Sequence, residues 1–154
     1  MTAIDITSEV FGQGARIPDE YTCKGANISP PLSFGSLPAG TQSIVAICDD
    51  PDDPSGLFTH WILYNIPKGA KMIGKGVPKK PVLIDGSRHG TNSYGRMEYG
   101  GPCPPPGKPH HYRFDVFALD TILALRAPVT RKEIGNAMEG HILEQGSLIG
   151  LFSR

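Results

Sequence analysis

Four carboxylates fall within five positions in Asp49-Asp50-Pro51-Asp52-Asp53-Pro54, and His60 follows six residues after Pro54. Aspartates at that density could ligate a cation, but Pro51 and Pro54 stiffen the segment, and a solvated turn is its simplest reading. The Asp50–Pro51 and Asp53–Pro54 bonds are also candidates for a cis peptide. If the strand carrying His60 returns beside the one that ends in these acids, His60 comes close to Asp50. A histidine beside a carboxylate favours the imidazolium, which holds an anion at neutral pH. Farther on, His110 and Tyr112 stand two apart, so an extended backbone directs both to one face, where each donates to an oxyanion. Gly100 and Gly101 permit close backbone approach nearby. Together these residues predict a small anion pocket at strand ends.

Other chemistries find less support. There is no G-x-S-x-G, no H-E-x-x-H and no dinucleotide G-x-G-x-x-G. The run Gly101-Pro-Cys-Pro-Pro-Pro-Gly107-Lys108 is one residue too long for a phosphate loop, and its prolines remove amide donors. As metal ligands, His60, His110, His111 and Cys103 lack a usual spacing, and adjacent strand residues His110 and His111 point apart. Neither a metal nor another cofactor is expected. A hydrolase using an Asp50–His60 pair as general base is the rival function, and no nucleophile is evident for it. Cys23, Cys48 and Cys103 are odd in number, without a C-x-x-C pair. Reduced thiols in a cytoplasm are the simplest reading, with a Cys23–Cys103 bridge left open.

Three segments are placed to position these groups. Ser43–Asp49 is short, almost wholly apolar and rich in β-branched residues, the pattern of a strand buried on both faces. Thr59–Ile66 reads as a second strand closed by Pro67, with His60, Ile62 and Tyr64 on one face and Trp61 and Leu63 on the other. Tyr112–Leu119 is a third, aligning Tyr112, Phe114, Val116 and Ala118. Weaker strands are expected at Ile4–Thr7, Pro81–Ile84 and Ser147–Phe152. Thr130-Arg-Lys-Glu133 fits a capping box, followed by an apolar helical stripe of Ile134, Ala137, Met138, His141 and Ile142, with Gly146 as the stop. The stretch from Pro67 to Pro109 is turn-rich, and long loop regions in a compact domain are usually functional.

At 154 residues the chain fits one domain, residues 1–154. Its 19 glycines and 15 prolines would interrupt every long helix, so a helical bundle is excluded and a loop-rich domain expected. Net charge is zero, but unevenly so: residues 1–66 carry −6, residues 67–111 carry +6, and the remainder is balanced. Lys68–Lys80 has no interleaved aromatic residues, so nucleic-acid binding is not expected. No apolar run is long enough to span a bilayer and no secretory leader is visible, so membrane insertion is not expected and the cytoplasm is the expected location.

Taken in order, Tyr21-Thr-Cys-Lys-Gly25-Ala-Asn27-Ile-Ser-Pro30-Pro-Leu32, Asp50-Pro-Asp52-x-Pro54, His60-Trp-Ile-Leu-Tyr-Asn65-Ile-Pro67, Gly101-Pro-Cys-Pro-Pro-x-Gly107, His110-His-Tyr112 and the ending Glu139-Gly-His-Ile-Leu…Gly146-Ser-Leu-Ile-Gly150 resemble the phosphatidylethanolamine-binding protein family, also called Raf kinase inhibitor proteins. The resemblance covers nearly the whole chain, and its short length is similar to the prokaryotic branch. It implies a mainly β fold, a sandwich of two antiparallel sheets with few short helices. It also implies an anion-binding pocket at Asp50, His60, Gly101, Cys103, Pro105, His110 and Tyr112, shaped by Pro51, Asp52 and Pro54. Two departures stand out: Cys103 sits in the usual G-x-G-P-P pattern, and His111 replaces a more usual arginine. The expected partners are a small anion or phosphorylated ligand, with a protease or kinase as inhibited target and a homodimer both left open. In the expected mechanism Asp50 keeps His60 cationic, and His110 and Tyr112 complete the cradle.

Overall fold

The computed structural model describes residues 3–154. Its eight strands are β1 (Ile6–Thr7), β2 (Leu32–Phe34), β3 (Ser43–Asp50), β4 (Phe58–Pro67), β5 (Met72–Ile73), β6 (Arg88–His89), β7 (His110–Leu119) and β8 (Ile142–Phe152), with one α-helix, α1 (Arg131–Met138), and a short 3-10 helix at Asp19–Tyr21. They form two antiparallel sheets, a five-stranded sheet ordered β6-β4-β3-β7-β8 and a three-stranded sheet ordered β1-β2-β5. The fold is the mainly β, two-sheet architecture implied by the family resemblance.

β3 lies at the centre of the large sheet between β4 and β7, and all eight of its residues are buried. A strand covered on both faces needs apolar side chains at both parities, which is why Ile44 to Cys48 runs without alternation. Ile44, Ala46 and Cys48 face the small sheet, in a core with Trp61, Leu63, Phe114, Val116, Leu32 and Phe34. Val45 and Ile47 face the other way, in a second core with Ile62, Tyr64, Phe117, Leu119, Ile134 and Met138. The apolar side of α1 closes this second core. Its start is the predicted capping box, in which Thr130 and Glu133 satisfy each other's backbone donors.

Several expectations shift. The helix stops at Met138, because Ile142 is drawn into β8 opposite Leu119 and cannot continue a helical stripe. The N-terminal strand shrinks to Ile6–Thr7, while the C-terminal one extends back to Ile142. Pro81–Ile84 is no strand. Only Val82 bridges Arg88, as Pro81 has no backbone donor and the chain turns at Asp85–Gly86. The cis peptide is Ala127–Pro128, not either Asp–Pro bond.

The departure with most consequence lies in β4. Cys48 pairs with Trp61 but Asp49 pairs with Thr59, so one step along β3 matches two along β4. His60 is the extra residue of a β-bulge, and a bulge re-aims the side chain it carries. His60 therefore does not share a face with Ile62 and Tyr64 as strict alternation requires. It turns to the Trp61 side, its ring 5.2 Å from that of Tyr112.

Candidate functional site

The C-terminal end of β3, the start of β4 and the start of β7 converge on a small open cavity of about 90 Å³, lined by Asp50, Asp53, Phe58, His60, Tyr94, Cys103, Pro104 and Tyr112. That is the size of a small oxyanion. β3 and β7 carry Asp50 and Tyr112 there through ordinary alternation, and the β4 bulge adds His60.

The four clustered aspartates separate by strand parity and by turn. Asp49 faces α1, where its carboxylate accepts from the Thr59 hydroxyl at 2.7 Å and meets Arg131 at 3.3 Å. Asp50, one residue on, faces the cavity side. Its carboxylate accepts from His110 Nδ1 at 2.7 Å and from the Asp52 amide at 2.8 Å. Asp52 accepts from His111 at 2.7 Å outside the cavity, and that contact holds its carboxyl below the usual range. Asp53 receives the Ser55 amide at 3.0 Å and borders the cavity.

The expected Asp50–His60 pair is not formed. Asp50 is taken by His110, whereas His60 Nδ1 lies 2.6 Å from the Gly100 carbonyl. A carbonyl only accepts, so Nδ1 carries the proton, and in the neutral ring Nε2 is left as an acceptor. Burial pushes the His60 pKa below its ordinary value, an effect that the Gly100 bond and the Asp50 charge offset only in part. His60 is thus not a standing imidazolium, because desolvation outweighs the carboxylate. The general-base dyad of the hydrolase reading is likewise not assembled. Burial, with the Asp50 charge adding to it, pushes the Tyr112 phenol far up, so its hydroxyl remains a donor.

The remaining nominated residues divide. His110 does not line the cavity; it stands behind Asp50 with its ring stacked near Tyr112. Gly101 does not line it either. A Cβ there would lie 2.4 Å from both the Asn27 Oδ1 and the Tyr21 carbonyl, so glycine is required for the close approach of the 21–27 segment. At Gly100 the space is filled by the Tyr94 ring. Pro105 is exposed, and Pro104 takes the lining position. Pro51 and Pro54 border the turn but do not touch the cavity.

Cys103 lines the cavity as half of a disulfide with Cys23, in place of the reduced thiols expected. The bond crosses a sequence separation of 80 residues, which spacing alone could not pair. It removes the argument from reduced cysteines for a cytoplasmic location; no described helix is long and apolar enough to cross a membrane. The wall from Gly101 to Pro104 is further held by Cys23 N–H to the Pro102 carbonyl, Gly101 N–H to Asn27 Oδ1, the Tyr94 hydroxyl to the Gly101 carbonyl and Arg154 Nε to the Pro104 carbonyl.

Sequence reasoning missed Phe58, Tyr94 and Asn92. The Tyr94 ring packs on Phe58 at 4.8 Å and edge-on to His60 at 5.6 Å. Buried Asn92 fixes that loop: its Oδ1 accepts from the Tyr94 and Arg96 amides at 3.0 Å each, and its Nδ2 donates to Glu98. Asn92-Ser-Tyr94-Gly95 carried a turn signal, but nothing in it told which strand end the turn would cover. Among the described residues no group of His, Cys, Asp and Glu side chains is disposed to hold a metal.

Comparisons with known proteins agree with this architecture. The family model for phosphatidylethanolamine-binding protein matches residues 7–153. A UPF0098 protein of Pyrococcus horikoshii is 48% identical over 96% of this chain and 75% of its own length. One from Methanothermobacter thermautotrophicus is 44% identical over 98% and 99%. The crystal structure of Escherichia coli YbcL, described as a new member of the mammalian PEBP family, superposes with a TM-score of 0.92 at 27% identity, covering 99% of both chains.

Proposed function

Since the chain belongs to the phosphatidylethanolamine-binding protein family, we propose that its 90 Å³ cavity receives a small oxyanion or phosphoryl group, and that the protein works by binding, as an inhibitor of a protease or kinase that presents such a group. The observation that carries this reading is the hydrogen-bond state of His60. With Nδ1 committed to Gly100, Nε2 meets an anion in one of two ways. Either the ring takes up a proton, or the ligand arrives protonated and donates to Nε2. Both routes bring one proton with the anion. The Tyr112 hydroxyl supplies a second donor. Asp50 and Asp53 oppose several charges concentrated on one group, so monoanions are preferred over multiply charged ions.

Binding is therefore linked to pH. Acetate, titrated by calorimetry in buffers of different ionisation enthalpy, is expected to bind with uptake of about one proton at neutral pH, where both acetate and His60 are deprotonated. Affinity falls as pH rises. His60→Ala is expected to abolish binding and its proton uptake together. Binding that involves no proton and survives His60→Ala would remove the assignment. The inhibitor role is tested separately, by inhibition of a panel of proteases and kinases by wild type and His60→Ala. Inhibition lost in the variant supports it, and equal inhibition by both, or none by either, counts against it.

A further inference from the structure

Beyond the small cavity, across Tyr94 and Cys103, lies a second one of about 320 Å³, lined among others by Asn27, Lys79, Asn92, Arg96, Glu98 and Tyr99. Tyr94 and Cys103 border both cavities and so form their common wall. The charges in the larger one are unequal in their commitments. Lys79 Nζ donates to the Tyr99 carbonyl at 3.2 Å and lies 3.7 Å from the Glu98 carboxylate, so this pair largely neutralises itself. The Arg96 guanidinium has no ion pair or side-chain hydrogen bond among the described residues, although Asn92 pins the Arg96 backbone. Asn92 also donates to the His60 carbonyl at 3.4 Å, which ties the loop carrying Arg96 to the strand carrying His60. The backbone that carries Arg96 is thus fixed relative to the strand that carries His60, on a turn whose backbone donors are already satisfied, while the guanidinium itself is exposed.

We propose that this larger cavity is a second subsite, and that it selects ligands bearing two separated anionic groups, one seated against His60 and Tyr112 and the other met by Arg96. The proposal rests on the oxyanion reading of the small cavity and deepens it. Asp50 and Asp53 resist a second charge inside the small cavity. A second anionic group is accepted only where a cation is unspent, and Arg96 is that cation next to the shared wall. A guanidinium also offers a planar fork suited to a carboxylate or phosphoryl group.

A series of straight-chain dicarboxylates, from malonate to adipate, serves as a ruler against acetate. Titrations followed by NMR at fixed pH and ionic strength use wild type, Arg96→Gln and His60→Ala. The dicarboxylate of matching length is expected to bind wild type about fivefold more tightly than acetate, the scale of a partly exposed ion pair. Arg96→Gln is expected to erase that advantage and leave acetate binding unchanged. If every dicarboxylate binds no tighter than acetate, or Arg96→Gln weakens acetate to the same extent, the subsite is overturned while the small cavity stands. If acetate itself fails to bind, or binds His60→Ala equally well, the oxyanion reading falls and the subsite falls with it.

Discussion

Asp49 and Asp50 are adjacent on one buried strand, yet the two sides of the sheet use them differently. On the helix side Asp49 is enclosed by Thr59 and Arg131 and does not line the small cavity. On the other side Asp50 is held by His110 and the Asp52 amide, and it still borders an open cavity. Both carboxylates are almost fully buried, at 1% and 2% exposure, so burial does not separate them. The neighbours do. A β-strand end backed by a helix is filled, whereas the same end facing converging loops keeps a space. A buried charge marks a binding site only where its surroundings leave room for something else.

The sharpest way to break that contrast acts on the loop side alone. Replacing both Cys23 and Cys103 with serine is expected to cost roughly 2–4 kcal/mol of stability in denaturant titration, since the bridge closes a long loop. Hydrogen exchange should rise at the Gly101 amide and across residues 23–27 while α1 keeps its protection. Uniform loosening of both sides would show that the two are one cooperative unit.

Asp49→Ala comes next, at about 2–3 kcal/mol. It strands the Thr59 hydroxyl and leaves Arg131, which is partly exposed, without its partner. Acetate binding should be unaltered, and a loss of binding would erase the distinction between the two sides. Asp50→Ala is expected to be milder for stability, about 1–2 kcal/mol from the lost bonds to His110 and the Asp52 amide. It should, however, change anion affinity several-fold in the same titration.

The smallest effect is that of pH. Burial lowers the pKa of both His60 and His89, and His89 Nε2 must stay unprotonated to accept the Trp61 indole N–H at 3.1 Å. Each histidine binds its proton more weakly folded than unfolded, where its pKa is about 6.5. The associated stability is therefore present above about pH 6.5 and is lost as pH falls through the folded values. Denaturation midpoints should rise from about pH 5 to about pH 6.5 and level off above it. With His60→Ala the slope should shrink but persist, because His89 remains. A flat profile in the wild type would contradict the buried, neutral state of both rings.

Much of this was legible beforehand. Ser43–Asp49 announced a doubly buried strand, Tyr112 to Ala118 showed its parity, and Thr130–Glu133 marked the helix start. These signals are local, set by periodicity and by capping groups three residues apart. Of the cavity, Asp50, His60, Cys103 and Tyr112 were foreseen. Tyr94, Asn92 and Pro104 lie in irregular loops, where no period says which way a side chain points. His60 was foreseen from the return of its strand beside β3, which occurs, but strict alternation places it on the face of Ile62 rather than on the cavity side.

Local pattern was enough to specify a loop-rich chain with its acidic turn at one strand end and its histidines at two others. Who pairs with whom emerged on folding. A one-residue bulge sent His60 to the Tyr112 side, Asp50 went to His110 across 60 positions, and Cys23 met Cys103 across 80. Short-range order follows from the preferences of neighbouring residues, which the chain carries everywhere. Long-range partners and protonation states depend on where the packed sheets bring groups together and how far they exclude water, and that exists only in the folded molecule.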